Sequence, residues 1–178
     1  MSKSGIRAAV LTVSDRAHEG TRVDTSGPAL VEKLRAAGFT ASPPTVLPDE
    51  RDQIAVWLRN VANNRLADVV FTTGGTGVAP RDITPEAVRD VIDREIPGFG
   101  ELMRQVGRLS TPMASLSRGM AGVAGTVLIV TLPGSPKGAL ESLGAILELV
   151  PHVHDLLNGR TAHVAPTVVA PQSGERRD

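Results

Sequence analysis

The chain has 178 residues, a formal net charge of zero at pH 7, a hydrophobic share of 41% and no cysteine. This length suits one globular domain whose core needs neither disulfides nor a structural metal. The lack of cysteine excludes disulfides, thiolate metal sites and cysteine nucleophiles. The neutral charge and the aromatic content of 2% argue against nucleic acid as a partner, because they supply neither a basic surface nor stacking platforms.

The N-terminal residues 1–5 lack the long apolar core of a signal peptide, and no apolar run approaches the roughly 20 residues of a membrane helix. We therefore expect a cytoplasmic protein without a membrane partner. We expect a single domain over residues 1–160 and a polar tail over residues 161–178.

Apolar runs of strand length alternate with segments of helical spacing along the chain. The run 6–13 predicts a strand, turn-forming residues over 14–27 predict a loop, and the spacing over 28–37 predicts a helix. An extended segment ending at Leu47, a helix with its apolar positions over 54–61 and a strand over 68–73 follow. Thr84 opens and caps the next predicted helix, and another helix is predicted over 99–109. The last predicted elements are hairpin arms over 119–123 and 126–132 and helices from Ala139 and over 152–157. This alternation predicts an α/β fold, a mostly parallel sheet flanked by helices.

Four loops follow strand segments, at Ser14, Asp49, Gly74 and Gly134. Ligands of such sheets bind at the carboxyl ends of the strands, near a switch in strand order. We therefore expect one pocket to collect all four loops.

The run 73–77 has three glycines in four positions after a buried strand. Glycines let backbone amides approach an anion closely, so a phosphate is the natural ligand, although a tight turn alone would also explain them. Thr72, Thr73 and Thr76 add hydroxyl donors. The run matches neither the P-loop nor the dinucleotide-binding pattern.

Two carboxylates stand beside these loops, and each has two interpretations. Asp49 and Asp82 could hold magnesium against phosphates, or they could cap the helices that follow them. Arg81 and Lys137 could pair with phosphates or lie solvated at the surface. The spacing of His152 and His154 separates them around a helix, so we assign no metal to histidine.

Three stretches together resemble one family: LTVSDRAHEGTRVDTSGPAL at 11–30, VVFTTGGTGVAPRDITPEAV at 69–88 and LPGSPKGALESL at 132–143. PGFGELMRQV at 97–106 and SRGMAGV at 117–123 are similar to the same family. The chain thus resembles the MogA/MoaB family of molybdenum cofactor biosynthesis proteins.

The resemblance implies a three-layer molybdopterin-binding fold, a homotrimer, and a molybdopterin adenylyltransferase that transfers AMP from ATP to the molybdopterin phosphate with magnesium and releases pyrophosphate. It implies that Asp49 and Asp82 are the catalytic and magnesium-binding residues. The remaining binding residues that it implies are Ser14, Asp15, Thr73, Gly74, Gly75, Thr76, Gly77, Ser117, Gly134, Ser135 and Pro136.

Two other interpretations stay open. A MoaB-like paralogue could bind molybdopterin without adenylylating it, or could hand it to a metal-insertion partner of the MoeA type. A nicotinamide oxidoreductase ranks below both, because the glycine run departs from the dinucleotide pattern.

Overall fold

A computed structural model describes residues 5–160 of the chain. The strands are β1 Arg7–Val13, β2 Thr40–Ala41, β3 Thr45–Leu47, β4 Val69–Thr73, β5 Arg94–Glu95, β6 Ala121–Ala124 and β7 Val127–Leu132. The α-helices are α1 Asp15–His18, α2 Ser26–Ala36, α3 Arg51–Asn63, α4 Thr84–Arg89, α5 Pro97–Ser110, α6 Pro136–Ile146 and α7 Val150–Leu157, and a 3-10 helix spans Pro112–Leu116.

The seven strands form one mixed sheet, and six of them have the order β2-β1-β4-β7-β6-β5. The seventh, β3, pairs with the carboxyl-terminal part of β1, whereas β2 pairs with its amino-terminal part. Strands β1, β2, β3, β4 and β7 pair in parallel, whereas β6 pairs antiparallel with both β5 and β7. The chain therefore leaves β1 toward β2 and β3 on one side and returns through β4 on the other. This reversal is the switch in strand order at which ligands of α/β sheets bind.

Helices cover both faces of the sheet, which gives three layers. One core lies under α2, α5, α6 and α7, and it includes Leu30, Phe71 and Leu143. The other lies under α3 and α4, and it includes Leu58 and Val88. β4 and β7 are buried along their whole length because they supply side chains to both cores. The predicted three-layer α/β fold is confirmed.

The structure corrects the sequence prediction in three places. The predicted loop 14–27 contains the short helix α1 and the first turn of α2. Thr84 is the first residue of α4 rather than its cap, since Ile83 precedes the helix without a side-chain cap bond. The two-residue strand β5 was not predicted, because two residues show no periodicity.

Within residues 5–160, none of the helices combines the length and hydropathy that a membrane span requires. The proposed tail 161–178 lies outside the described residues, so the domain boundary at residue 160 stays a prediction.

Candidate active site

The carboxyl ends of β1, β3, β4 and β7 lie side by side at one edge of the sheet. The register aligns their last residues, pairing Val13 with Leu47, Thr12 with Thr73, and Thr73 with Leu132. Parallel strands end at the same edge, so the loops that follow them become neighbours. The prediction that one pocket collects the loops at Ser14, Asp49, Gly74 and Gly134 is met in part, because three of them line the cleft described next and Asp49 does not.

A polar cleft of about 280 Å³ opens over these strand ends. Five of the predicted binding residues line it: Ser14, Thr73, Gly74, Gly134 and Ser135. The remaining lining residues are Thr12, Val13, Ala17, Arg22, Val23, Asp24, Thr25 and Ser26. The sequence predicted only a loop over 14–27 and gave no binding role to the segment 22–26, which forms part of the cleft wall.

Asp24 organises that segment. Its Oδ1 accepts hydrogen bonds from the backbone N–H groups of Ser26 and Gly27, at 3.1 and 3.0 Å, so it satisfies the exposed amides at the start of α2. Its Oδ2 accepts from Thr12 Oγ1 at 2.7 Å. Ser26 Oγ donates to the carbonyl oxygen of Gly134 at 2.8 Å and ties this segment to the opposite loop.

The glycine run needs glycine for its backbone. Gly74 and Gly75 have φ values of +103° and +62°, which L side chains rarely adopt. A Cβ on Gly74 would lie 2.2 Å from the carbonyl oxygen of Val13. Thr84 Oγ1 donates to the Gly74 carbonyl oxygen at 2.9 Å and fixes the run against α4. The loop is therefore rigid and close to β1.

The threonines beside the run face the protein. Thr73 Oγ1 donates to the carbonyl oxygen of Pro133 at 2.7 Å, so this hydroxyl braces two strand ends. Thr76 is buried. Thr72 is fully buried, and its hydroxyl has no hydrogen-bond partner within the described residues.

Asp15 and Asp49 hold each other by reciprocal hydrogen bonds. The N–H of Asp15 donates to Asp49 Oδ2 and the N–H of Asp49 donates to Asp15 Oδ1, both at 2.9 Å. Arg81 closes the cluster through two bonds to the Asp15 carboxylate, at 2.8 and 2.9 Å, and one of 3.0 Å to Glu50. The expectation that Asp49 caps α3 is wrong, because Glu50 occupies the cap position and Asp49 instead accepts from Asp15.

Asp82 lies on the other side of the glycine run. A Cβ on Gly77 would come 2.7 Å from Asp82 Oδ2, whereas one on Gly75 would come 3.2 Å from Asp49 Oδ1. The two carboxylates therefore flank the run. Asp82 Oδ2 accepts from the N–H of Ala79 at 2.8 Å, a bond inside the loop rather than a cap on α4.

Arg118 anchors the backbone of the loop that carries Asp82. Its guanidinium donates to the carbonyl oxygens of Gly77 and Asp82 and to the carboxylate of Glu86, and its own N–H donates to Thr76 O. Sequence reasoning missed this role. The signal was the resemblance over 117–123, which was used for Ser117 alone.

The pKa values of Asp49 and Asp15 are shifted in opposite directions. Burial raises the pKa of Asp49 above its usual value, and the negative charges of Asp15 and Asp82 add to that rise. Hydrogen bonds from Arg81 lower the pKa of Asp15. Arg81 therefore neutralises Asp15, while a cation beside Asp49 would stabilise the ionised form of that carboxylate.

Carboxylate oxygens are the ligands that magnesium prefers, usually one or two of them together with phosphate oxygens. Oδ1 of Asp49 and Oδ1 of Asp82 accept no hydrogen bond from the described residues, so both have lone pairs to offer. Among residues 5–160 no group of three or more histidine or acidic side chains could hold a metal. The donor set thus fits a magnesium ion that is shared with substrate phosphates.

The two carboxylates Asp49 and Asp82 and six of the predicted binding residues are not among the residues that line the polar cleft; the six are Asp15, Gly75, Thr76, Gly77, Ser117 and Pro136. Ser117 lines a second cleft, between α5 and α6, and Ser135 lines both clefts. Pro136 is the first residue of α6 and lines neither. Lys137, a possible phosphate partner, is 78% exposed in its side chain and lies 3.8 Å from Glu141.

The comparisons with known proteins point to one group. The model of a family described as a probable molybdopterin-binding domain matches residues 9–152. A molybdopterin adenylyltransferase of Helicobacter pylori is 42% identical, with 89% of this chain and 92% of that protein covered. The molybdopterin adenylyltransferase of Escherichia coli K12 is 38% identical, with 96% of each chain covered.

Solved structures agree with the sequence relatives. The molybdopterin biosynthesis enzyme MoaB of Thermus thermophilus is 51% identical, with a TM-score of 0.81 over 86% of this chain and 97% of that one. The Mog protein of Mycobacterium ulcerans is 35% identical, with a TM-score of 0.80 over 89% and 99% of the two chains. The resemblance to both MogA-type and MoaB-type proteins is confirmed, and the chain belongs to the family of molybdopterin-binding domains of molybdenum cofactor biosynthesis.

Proposed function

We propose that this chain is a molybdopterin adenylyltransferase, which transfers AMP from ATP to the terminal phosphate of molybdopterin and releases pyrophosphate. The observation that carries the proposal is the pair Asp49 and Asp82, which flank a rigid glycine loop at the switch point of the sheet. The relatives named molybdopterin adenylyltransferase, which match along nearly their whole length, support the same activity.

In the proposed reaction, an oxygen of the molybdopterin phosphate attacks the α-phosphorus of ATP. A new P–O bond forms, the bond from the α-phosphorus to the bridging oxygen breaks, and pyrophosphate leaves with that oxygen. Such a transfer depends mainly on the alignment of the two phosphates and on neutralisation of their charge. Asp49 and Asp82 would hold magnesium, which when bound would neutralise phosphate charge.

The chain's own residues would supply the alignment. Gly74 and Gly75 have no side chain, so their backbone amides would be open to phosphate oxygens. Ser14 and Ser135 line the same cleft and offer hydroxyl groups. Asp15 would act through Asp49, because its carboxylate is paired with Arg81 and bound to the Asp49 amide.

Several further expectations of the resemblance belong to this proposal. Gly75, Thr76, Gly77, Ser117, Gly134 and Pro136 would complete the binding surface around the two substrates. We also propose a homotrimer, a cytoplasmic location and a metal-insertion partner of the MoeA type. A mass from light scattering that matches a monomer at working concentrations would overturn the trimer.

The test measures pyrophosphate release and adenylyl-molybdopterin formation with ATP, molybdopterin and magnesium. Asp49→Ala, Asp82→Ala and the double variant are compared with Asp52→Ala, which removes an exposed aspartate from the first turn of α3. We expect turnover in the wild type and in Asp52→Ala and a severe loss in the other variants, while molybdopterin still binds. Loss with retained binding would place the defect in the transition state.

Two results would contradict the proposal. Near wild-type turnover in both single variants would remove the proposed roles of the carboxylates. No turnover in the wild type, together with tight molybdopterin binding, would instead support the paralogue that binds or hands over molybdopterin without adenylylating it.

A further inference from the structure

A second cleft lies on the far side of the turn that follows β7. It has a volume of about 200 Å³ and is enclosed by α5, the 3-10 helix and the start of α6. Apolar side chains contribute to its walls, namely Met103, Met113, Ala114 and Pro133. Ser135 lines both this apolar cleft and the polar cleft, so the two are neighbouring parts of one surface.

Arg104, on α5, lines the apolar cleft. Its Nη1 donates to the carbonyl oxygens of Ser117 and Gly119, at 3.3 and 3.0 Å, and these bonds fix the guanidinium in place. Arg104 also lines an adjoining cleft of about 300 Å³, so the guanidinium stands where the two clefts meet. A Cβ on Gly100 would come 2.7 Å from the Gly119 carbonyl oxygen and 3.2 Å from both Nη atoms, so glycine lets α5 pack closely against the carbonyl that holds the guanidinium.

Arg104 differs in its surroundings from three other arginines around the site. Arg81 is paired with Asp15, Arg118 is paired with Glu86, and Arg22 is exposed, whereas Arg104 is half-buried. Arg104 forms no ion pair with any of the described residues, and its Nε and Nη2 donate to no group among them. A half-buried guanidinium held by carbonyl oxygens, with free donors and no counter-ion, is suited to an anion.

None of the three glutamates that line these clefts pairs with Arg104. Glu141 also lines the apolar cleft, but it accepts from Ser110 Oγ at 2.7 Å and lies 3.8 Å from Lys137. Glu95 and Glu101 line the adjoining cleft, and neither pairs with Arg104. The positive charge of Arg104 is therefore not cancelled by a direct contact within the described part of the chain.

We propose that Arg104 is a phosphate-binding residue, which holds a substrate phosphate at the mouth of the apolar cleft while the heterocycle of that substrate packs against Met103, Met113 and Pro133. This inference rests on the proposed function, in which ATP and molybdopterin both join a heterocycle to phosphate. The planar fork of arginine matches phosphate oxygens, and lysine would offer only a point charge. The source of the phosphate is decided by the test below.

The test is isothermal titration of ATP, of inorganic tripolyphosphate and of molybdopterin into the wild type, Arg104→Ala, Arg104→Lys and Arg104→Gln. Arg108→Ala serves as the matched control, because Arg108 lies one turn further along α5 and is exposed. Loss of a charge-assisted hydrogen bond predicts an affinity about tenfold or more weaker in Arg104→Ala for at least one phosphate ligand, with partial recovery in Arg104→Lys. Arg108→Ala should bind as the wild type does.

The pattern of losses identifies the substrate. Weaker binding of ATP and tripolyphosphate assigns Arg104 to the nucleotide, whereas weaker binding of molybdopterin alone assigns it to the pterin phosphate. Arg104→Gln tests a purely structural role, since an amide can donate to carbonyl oxygens without carrying a charge. Unchanged affinity for all three ligands in a folded Arg104→Ala, or full recovery in Arg104→Gln, would overturn the inference.

These binding measurements do not depend on turnover. A wild-type protein that binds phosphate ligands through Arg104 but forms no adenylyl-molybdopterin would refute the proposed function and leave the inference standing. Turnover by the wild type, together with unchanged phosphate affinity in Arg104→Ala, would refute the inference and leave the proposed function standing.

Discussion

Replacement of Gly74 by alanine tests whether the glycine loop is constrained by its own backbone. The residue has a φ of +103°, and the added Cβ would lie 2.2 Å from the Val13 carbonyl oxygen. An L side chain at positive φ costs about 1–2 kcal/mol, and overpacking costs about 1–3 kcal/mol. The position of the Cβ is set by the backbone and the Val13 oxygen is a backbone atom, so no rotamer change relieves the overlap. We therefore expect Gly74→Ala to lose about 2–5 kcal/mol of the free energy of unfolding.

The assay is urea unfolding at 25 °C, with turnover measured on the same preparations. Gly144→Ala is the matched control, because Gly144 lies exposed in α6 and a Cβ there meets nothing within 4 Å. Alanine in a helix interior should stabilise that variant by about 0.5–1 kcal/mol. The two substitutions thus have opposite expected signs. Wild-type stability and turnover in Gly74→Ala would refute the view that the loop is held against β1.

Three further predictions concern the charged groups. Burial raises the pKa of Asp49, so its ionised form destabilises the native state, and Asp49→Asn should increase the free energy of unfolding at pH 7. Urea titrations at several pH values should show this gain vanish below the ordinary aspartate pKa of about 3.9, and a gain that persists in acid would contradict the assignment. Arg118→Ala should cost about 1–3 kcal/mol of the free energy of unfolding, because it removes hydrogen bonds to Gly77 and Asp82 and leaves the Glu86 carboxylate with the more distant Arg89. A second substitution, Glu86→Gln, should recover part of that loss, and strictly additive effects would count against the coupling. Asp15→Asn keeps an oxygen that can accept from the Asp49 amide, so it should retain a higher kcat than Asp15→Ala, and equal losses would show that the reciprocal bonds do not position Asp49.

Regular elements with a full period were predictable from the sequence. The spacing of apolar residues indicated α2, α3 and α5, and the buried run before the glycines indicated β4, because burial of one helix face or of a whole strand leaves a repeating pattern. Three elements were missed: α1, β5 and the 3-10 helix, which have four, two and five residues. Such segments are too short to show a period.

Helix caps were predicted less well than helices. Asp49 and Thr84 both have residue types that favour a cap, yet neither caps a helix. Asp49 accepts instead from an amide 34 residues away, and Thr84 donates to Gly74 O. A polar side chain takes whichever partner the folded chain brings near it, so local residue type is a weak guide.

The α/β class, the four loops that follow strand ends and the two candidate carboxylates could be predicted from the sequence. The contacts that hold these groups are visible only in the folded chain: the reciprocal bonds of Asp15 and Asp49, the bond from Arg118 to the Asp82 carbonyl oxygen, and the Arg104 guanidinium held by carbonyl oxygens. Periodicity along a chain reports which face of an element is buried. Partners separated by tens of residues leave no such pattern, because their contact depends on the order in which the strands enter the sheet.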